Sequence, residues 1–421
     1  MRQAKLQLNL VTKAMLLSSI ILASSSVIAQ EAETGIDSQK IKEEGIERIT
    51  ISARKKVESV QDVGVAITSL NGDDLENLGI NKTEDLVKVV PSLDIKQANG
   101  QGNVNITLRG VGLNDYSSTT SPTVGVYIDE IFLGYTGMLS FGLFDVERVE
   151  VLKGPQGTLY GRNTTGGAVT FATAKPVNDE ANGYIDVTLG NYDTSEVRGA
   201  ISVGLTDELS VRFAGIHREQ GESFYTNHLV TDAENFDFTP TGKTENFGSS
   251  TLDAYRFSVL YEGGDVEVYA NIHGGKQEFP VIPIEHFGGF DANFNPCYTG
   301  SEPLSNANGC SDFVGYSDNE STGNYGGHYQ DFPKNEVDTL GGVLKVDIEL
   351  GSATFTSVTG YESYERNSID DVSANPIPEY LELYMYDDIE EFSQEFRLVG
   401  EIGKFEYIVG AFYSKDEIKY Q

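Results

Sequence analysis

Leu344-Lys345-Val346-Asp347-Ile348-Glu349-Leu350 alternates apolar and charged residues without a break. A period of two places every apolar side chain on one face of a strand and every charge on the other. The pattern recurs. Ile185, Val187 and Leu189 alternate with Tyr184, Asp186 and Thr188. Val197, Gly199, Ile201 and Val203 alternate with Arg198, Ala200 and Ser202. Tyr255, Phe257, Val259 and Tyr261 alternate with Ala254, Arg256, Ser258 and Leu260. Segments of about ten residues with one oily and one wet face are expected of strands with lipid outside and water inside.

The connections between these segments sort by length. Short turns fall at Leu205–Glu208, Glu262–Asp265, Gly351 and Glu401–Gly403. Long polar connections fall at Glu222–Ser250, Glu278–Glu336 and Ser368–Glu390, after a brief first one at Asn191–Thr194. Outer-membrane barrels place short turns on the periplasmic side and long loops outside. A soluble β-sandwich also alternates but has no reason to sort its loops. The expected architecture is therefore an antiparallel transmembrane β-barrel over residues 183–421. About nine strands can be read, the last starting at Phe405. An odd, unpaired edge leaves backbone groups unsatisfied in lipid, so the barrel is expected to be incomplete and the chain a fragment truncated at its C-terminal side.

The beginning of the chain agrees with export. Arg2, Lys5 and Lys13 precede an apolar run, Ala14–Ala23, and Val27-Ile28-Ala29 supplies small residues at a cleavage spacing. Residues 1–29 read as a secretory signal peptide, and the polar residues 30–46 as a disordered periplasmic leader. The 421 residues carry a net charge of −34, which excludes nucleic acid as a partner because phosphates would be repelled. Cys297 and Cys310 lie in a loop rich in Gly, Asn, Ser and Asp, and in an oxidising compartment they are expected to pair as a disulfide. Too few further ligands surround them for a metal site. The five histidines show no zinc spacing, and no Ser, His and acid set stands out, so neither an enzyme nor a cofactor is expected.

Residues 47 to about 176 differ from the rest: short strands, two short helix starts at Asp73-Asp74-Leu75 and Thr83-Glu84-Asp85-Leu86, and many glycines. The run Leu143-Phe144-Asp145-Val146-Glu147-Arg148-Val149-Glu150-Val151-Leu152-Lys153-Gly154-Pro155-Gln156-Gly157-Thr158-Leu159-Tyr160-Gly161-Arg162-Asn163-Thr164-Thr165-Gly166-Gly167-Ala168-Val169 closely resembles the plug signature of TonB-dependent outer-membrane receptors. Its glycines lack the Lys-Ser/Thr spacing of a phosphate-binding loop. Phe392-Ser393-Gln394-Glu395-Phe396-Arg397-Leu398 resembles a barrel strand of the same family.

The resemblance implies an α+β plug domain at 54–176 inside the barrel. It also implies a TonB box at Glu47, Arg48, Ile49, Thr50, Ile51, Ser52 and Ala53, the segment engaged by the inner-membrane TonB protein through strand addition. A plug must be held and yet movable. Arg109, Glu147, Glu150 and Arg162 are candidate ion-pair partners within the plug or across to the wall, the alternative being exposed charges worth little each. Asn114, Asp115 and Tyr116 are candidate substrate contacts, with a solvated turn as the competing reading. The expected activity is energised uptake of a scarce small molecule across the outer membrane, a ferric siderophore or other iron complex, with a saccharide or cobalamin, or an inactive fragment, as alternatives. The eight acids at Asp370, Asp371, Glu379, Glu382, Asp387, Asp388, Glu390 and Glu391 would hinder free anionic ligands unless cations screened them.

Overall fold

The computed structural model describes residues 50–420 except 52–54, 56–57, 60–62, 99–102, 114, 116, 118, 140–143, 179–180, 224, 247, 281–287, 292, 299–309, 317–325, 328–333, 372, 374 and 378–380. The signal and leader segments therefore lie outside the described residues, as do Glu47, Arg48, Ile49, Ser52 and Ala53.

The N-terminal part is built from nine strands: β1 (Thr50–Ile51), β2 (Glu58–Ser59), β3 (Ala66–Asn71), β4 (Leu93–Ala98), β5 (Asn103–Leu108), β6 (Val124–Ile128), β7 (Ile131–Leu133), β8 (Val146–Lys153) and β9 (Gly167–Thr173). Five of them form a mixed sheet in the order β3-β8-β9-β6-β7, with β6 and β9 parallel, while β4 and β5 form a separate hairpin. Helix α1 (Gly72–Asn77) is capped by Asn71, whose side chain accepts from the Asp74 amide at 2.7 Å while the Asp74 carboxylate accepts from the Asn71 amide at 3.1 Å. This reciprocal capping satisfies two orphan donors. The expected helix start is present, but the cap is Asn71 rather than an aspartate. The second start gives a 3₁₀ turn, Thr83–Lys88. Val124, Val149, Val151, Val169, Leu86, Val104 and Leu108 close the core between the sheet, the hairpin and this turn.

The C-terminal part is a single antiparallel sheet of nine strands: β10 (Asn182–Gly190), β11 (Thr194–Gly204), β12 (Leu209–Gln220), β15 (Ser250–Gly263), β16 (Val266–Pro280), β20 (Lys334–Glu349), β21 (Ala353–Asp371), β22 (Glu382–Ile402) and β23 (Phe405–Tyr420). Each wall strand pairs with the next one along the chain. Ile185, Val187, Leu189, Ile201, Phe213, Phe257, Ile272, Leu344, Phe396, Val409 and Tyr413 stand exposed on the outer face, which is the apolar surface that lipid would cover. The opposite face carries Arg212, Arg256, Asn271, Lys345, Glu391 and Arg397, and meets the N-terminal part. The sheet remains open: β10 and β23 are its two edges.

The long connections contain more regular structure than expected. Within the first, β13 (Thr226–Asp232) and β14 (Asp237–Asn246) form a hairpin. The second contains β17 (Gly288–Phe290), β18 (Pro296–Tyr298) and β19 (Gly326–Gly327), and β19 pairs in parallel with β13. The third, taken as a loop over Ser368–Glu390, is mostly strand, because β21 runs on to Asp371 and β22 begins at Glu382. Alternation fades there in sequence because charged residues occupy both faces once the strands leave the lipid.

Candidate functional site

Strands β6 and β7 are joined by a two-residue turn, Asp129-Glu130, in register Ile128↔Ile131. Both residues have positive φ, 47° and 72°. Such a hairpin turn normally takes Asn and Gly, and a larger residue there costs on the order of 1 kcal/mol. The tip is held by its carboxylates. Asp129 accepts from the Thr173 amide at 2.8 Å and hydroxyl at 2.7 Å, and from Asn271 Nδ2 on the wall at 3.0 Å. Glu130 accepts from Lys345 Nζ at 2.7 Å and Arg397 Nη2 at 2.9 Å, on β20 and β22, while Lys55 Nζ lies 3.6 Å away. Burial alone would push the Glu130 carboxyl up, but Lys345, then Lys55 and Arg397, outweigh it and hold it well below the usual carboxylate range.

A second contact is made just before β8. Asp145 is buried and receives Arg212 Nε at 2.9 Å, with Arg212 Nη2 on its other oxygen. This bidentate fork fixes both position and orientation. Beside it Phe144 packs among Ala200, Ala214, Ile216, Leu252 and Ala254, and Arg256 lies over its ring, 4.8 Å from the centroid. Ile131 likewise inserts between Val343 and Val358. Charge is therefore not the whole of the boundary: Phe144 and Ile131 meet apolar wall residues, and the plug core runs on to Phe279, Val337, Tyr364 and Ile389.

A third contact centres on Arg162, whose Nη2 lies 2.9 Å from Asp416 and 3.4 Å from Glu391. Glu391 also accepts from the Gly134 amide at 2.8 Å, and Tyr135 donates to Asp416 at 3.1 Å. Burial first, then Asp416, pushes the Tyr135 hydroxyl up to about 12, so it remains a donor at neutral pH.

The four charges singled out in sequence separate into different roles. Only Arg162 reaches the wall among the described contacts. Glu150 is buried inside the plug, 2.7 Å from Arg148 Nε. Glu147 is exposed and 3.7 Å from Arg148. Arg109 has positive φ (52°) and points along the plug, donating to the Lys153 carbonyl at 3.4 Å instead of forming an ion pair across the boundary. Sequence reading missed Asp129, Glu130 and Asp145. A signal existed: each lies in a turn that ends an apolar strand or begins one, and isolated cations at 212, 345 and 397 recur on the inward faces of wall strands.

Of the proposed TonB box, Thr50–Ile51 is described, as a strand paired with Glu58–Ser59. Asn114 and Tyr116 lie outside the described residues. The Asp115 carboxylate accepts from the Ser117 amide at 3.0 Å and the Thr120 hydroxyl at 2.8 Å, so both its oxygens hold its own loop in shape. Cys297 and Cys310 are joined as a disulfide with Cα atoms 5.9 Å apart. Among the described residues no His, Cys, Asp and Glu group is arranged to hold a metal ion.

A small α+β body seated by discrete contacts against the polar face of a sheet with a lipid-facing exterior defines a plugged transmembrane β-barrel protein. Residues 59–168 match the TonB-dependent Receptor Plug Domain, so this stretch is a plug domain of the kind found in TonB-dependent receptors. It is 28% identical over 161 residues to the pesticin receptor of Yersinia pestis, covering 38% of this chain and 23% of that protein. It is 24% identical over 277 residues to the vitamin B12 transporter BtuB of Vibrio vulnificus, covering 62% and 40%. The crystal structure of the ferric yersiniabactin uptake receptor FyuA from Yersinia pestis superposes with a TM-score of 0.61 at 16% identity, covering 85% of this chain and 50% of that one. The chain therefore spans half or less of the length of these relatives. Proteins of this family reside in the outer membrane, and these relatives are receptors and transporters rather than enzymes.

Proposed function

We propose that this chain is the plug and part of the barrel of an outer-membrane receptor that imports a scarce small molecule, a ferric siderophore or another iron complex, using energy delivered by TonB. One observation carries the reading. The plug is a folded body whose boundary with the inner face of the wall carries charged contacts at Glu130, Asp145 and Arg162, beside apolar contacts that run from its core onto Phe279, Val337, Tyr364 and Ile389. The charged groups at this boundary can be rehydrated when the stopper is drawn aside, which a boundary made of apolar contacts alone would not allow. Glu47–Ala53 is the proposed handle, exported with the chain by the leader at 1–29 and engaged by TonB through strand addition. Asn114, Asp115 and Tyr116 remain the proposed contacts for a polar ligand. The iron reading is supported by the pesticin receptor and FyuA relatives. Cobalamin uptake is the second reading, favoured by the 277-residue alignment with the vitamin B12 transporter.

The test uses the full-length receptor in a Gram-negative strain lacking its own siderophore receptors. A panel of radio-iron siderophores and labelled cobalamin is offered with and without an energised inner membrane. Deleting Glu47–Ala53 should abolish energised uptake of the accepted ligand while surface binding survives. Uptake that persisted after the deletion would sink the mechanism.

A further inference from the structure

His273 on β16 and Glu362 on β21 are separated by the whole of β20, yet their side chains meet, with Nε2 3.1 Å from a carboxylate oxygen. The intervening strand contributes Gly341, in register with both. A Cβ at Gly341 would overlap the Glu362 carboxylate and the His273 Nε2. Glycine is thus the only residue that leaves this window between strands open.

The other ring nitrogen, Nδ1, lies 2.9 Å from Asn271 Oδ1. The orientation of that amide is set on its far side. Asn271 Nδ2 donates to Asp129 at 3.0 Å and to the Tyr269 oxygen at 3.1 Å. Its carbonyl oxygen therefore faces the imidazole, and Nδ1 must carry a hydrogen. Nε2 then faces a carboxylate, and only a proton can join the two. Either an imidazolium donates to ionised Glu362, or a neutral imidazole accepts from protonated Glu362. Both arrangements hold one proton more than neutral histidine beside a carboxylate.

The geometry points to a proton-binding site at His273 and Glu362, coupled through Asn271 to the seating of the Asp129-Glu130 tip. Acidic groups face the pair from two elements. Asp129 approaches from the plug and Glu391 lies in register with Glu362 on β22. The hydroxyls nearby belong to Tyr269 and Tyr364. Arg256 is in register with His273 on β15, but its guanidinium is turned onto Phe144. While Asp129 is seated, Asn271 cannot turn over, and the proton is required. Once the tip leaves, the amide is free to rotate and the requirement lapses. The seated state binds more protons than the released one, so seating strengthens as pH falls and weakens as pH rises. This rests on the reading of the plug as a removable body, but it needs neither TonB nor ligand.

The experiment is hydrogen–deuterium exchange of residues 124–133 in the full-length receptor in detergent, compared at about pH 6 and about pH 8.5, the two sides of the ordinary histidine range, after correction for intrinsic rates. Opening of the hairpin should be roughly tenfold more frequent at the higher pH, the effect of losing one charge-assisted hydrogen bond. His273→Gln should open equally at both values, with amides of β16 and β20 still protected. Glu362→Gln should also lose the dependence, and it serves alone if His273→Gln does not insert. Equal opening at both pH values in the natural protein overturns the proposal, as does a pH dependence that survives either substitution. Uptake assays, run separately, report on the transport reading.

Discussion

Asp145 in the plug and Arg212 on the wall are joined through both oxygens of the carboxylate and two nitrogens of the guanidinium, with both side chains almost wholly buried. Removing one partner of such a pair leaves an uncompensated charge, which costs about 3–5 kcal/mol. Asp145→Asn should lower the free energy of plug release, measured in urea, by that amount. The double variant Asp145→Asn with Arg212→Met should recover most of the loss. A double variant no better than the single one would show that the fork contributes directional binding beyond charge balance.

Glu130 gives a prediction with a pH sign. Its carboxyl is held below the usual range, so the stabilisation it supplies is present above the ordinary carboxylate value of about 4.3 and is lost only as pH falls further below it. The tip's contact with Lys345 and Arg397 should therefore be intact at about pH 5. Glu130→Gln should raise exchange in residues 124–133 at about pH 5 and above, by a loss of about 2 kcal/mol since the site is partly hydrated. Loosening of the natural protein already at about pH 5 would contradict this account.

Gly167 begins β9 with φ near 149°, and a Cβ there would overlap the Leu152 carbonyl oxygen and the Leu108 side chain. Gly167→Ala should lower plug stability by about 2–3 kcal/mol through strain and displaced core packing. Circular dichroism of the full-length receptor should show the wall melting unchanged while a separate, earlier plug transition moves down.

The disulfide closes a loop with a sequence separation of 13 between its cysteines, for which chain-entropy reasoning gives about 3 kcal/mol. Asp312, just beyond Cys310, caps the amides of Val314 and Tyr316 and accepts from Asn375 in the next connection. Paired Cys297→Ser and Cys310→Ser substitutions should therefore increase proteolysis around 288–316 and around 373–377. The wall strands should keep their protection. Cleavage confined to the first segment would mean the two connections are mechanically independent.

Much of the wall could be read from sequence because a lipid-facing strand repeats every two residues, as Leu344–Leu350 does. The plug could be read because its signature residues are contiguous. The boundary between them could not. Arg162 and Arg109 look alike in sequence, but only Arg162 lies opposite acids, Glu391 and Asp416, more than two hundred residues away. Glu147 and Glu150 sit on one strand three residues apart, so the period of two puts them on opposite faces, Glu147 exposed and Glu150 buried beside Arg148. Alternation gives two faces, but not which of them the fold buries.

The wall pairs each strand with its successor, whereas the plug contacts span very long stretches of chain: 257 residues from Gly134 to Glu391 and 281 from Tyr135 to Asp416. Successive hairpins can zip with little loop-closure entropy, but the contacts of Gly134, Tyr135 and Arg162 close far longer loops and form only when β22 and β23 exist. The plug is synthesised first and fastened last. Its last contacts therefore close late, and a chain stalled before β22 would carry a stopper held at Arg212, Asn271 and Lys345 but unfastened at Arg162.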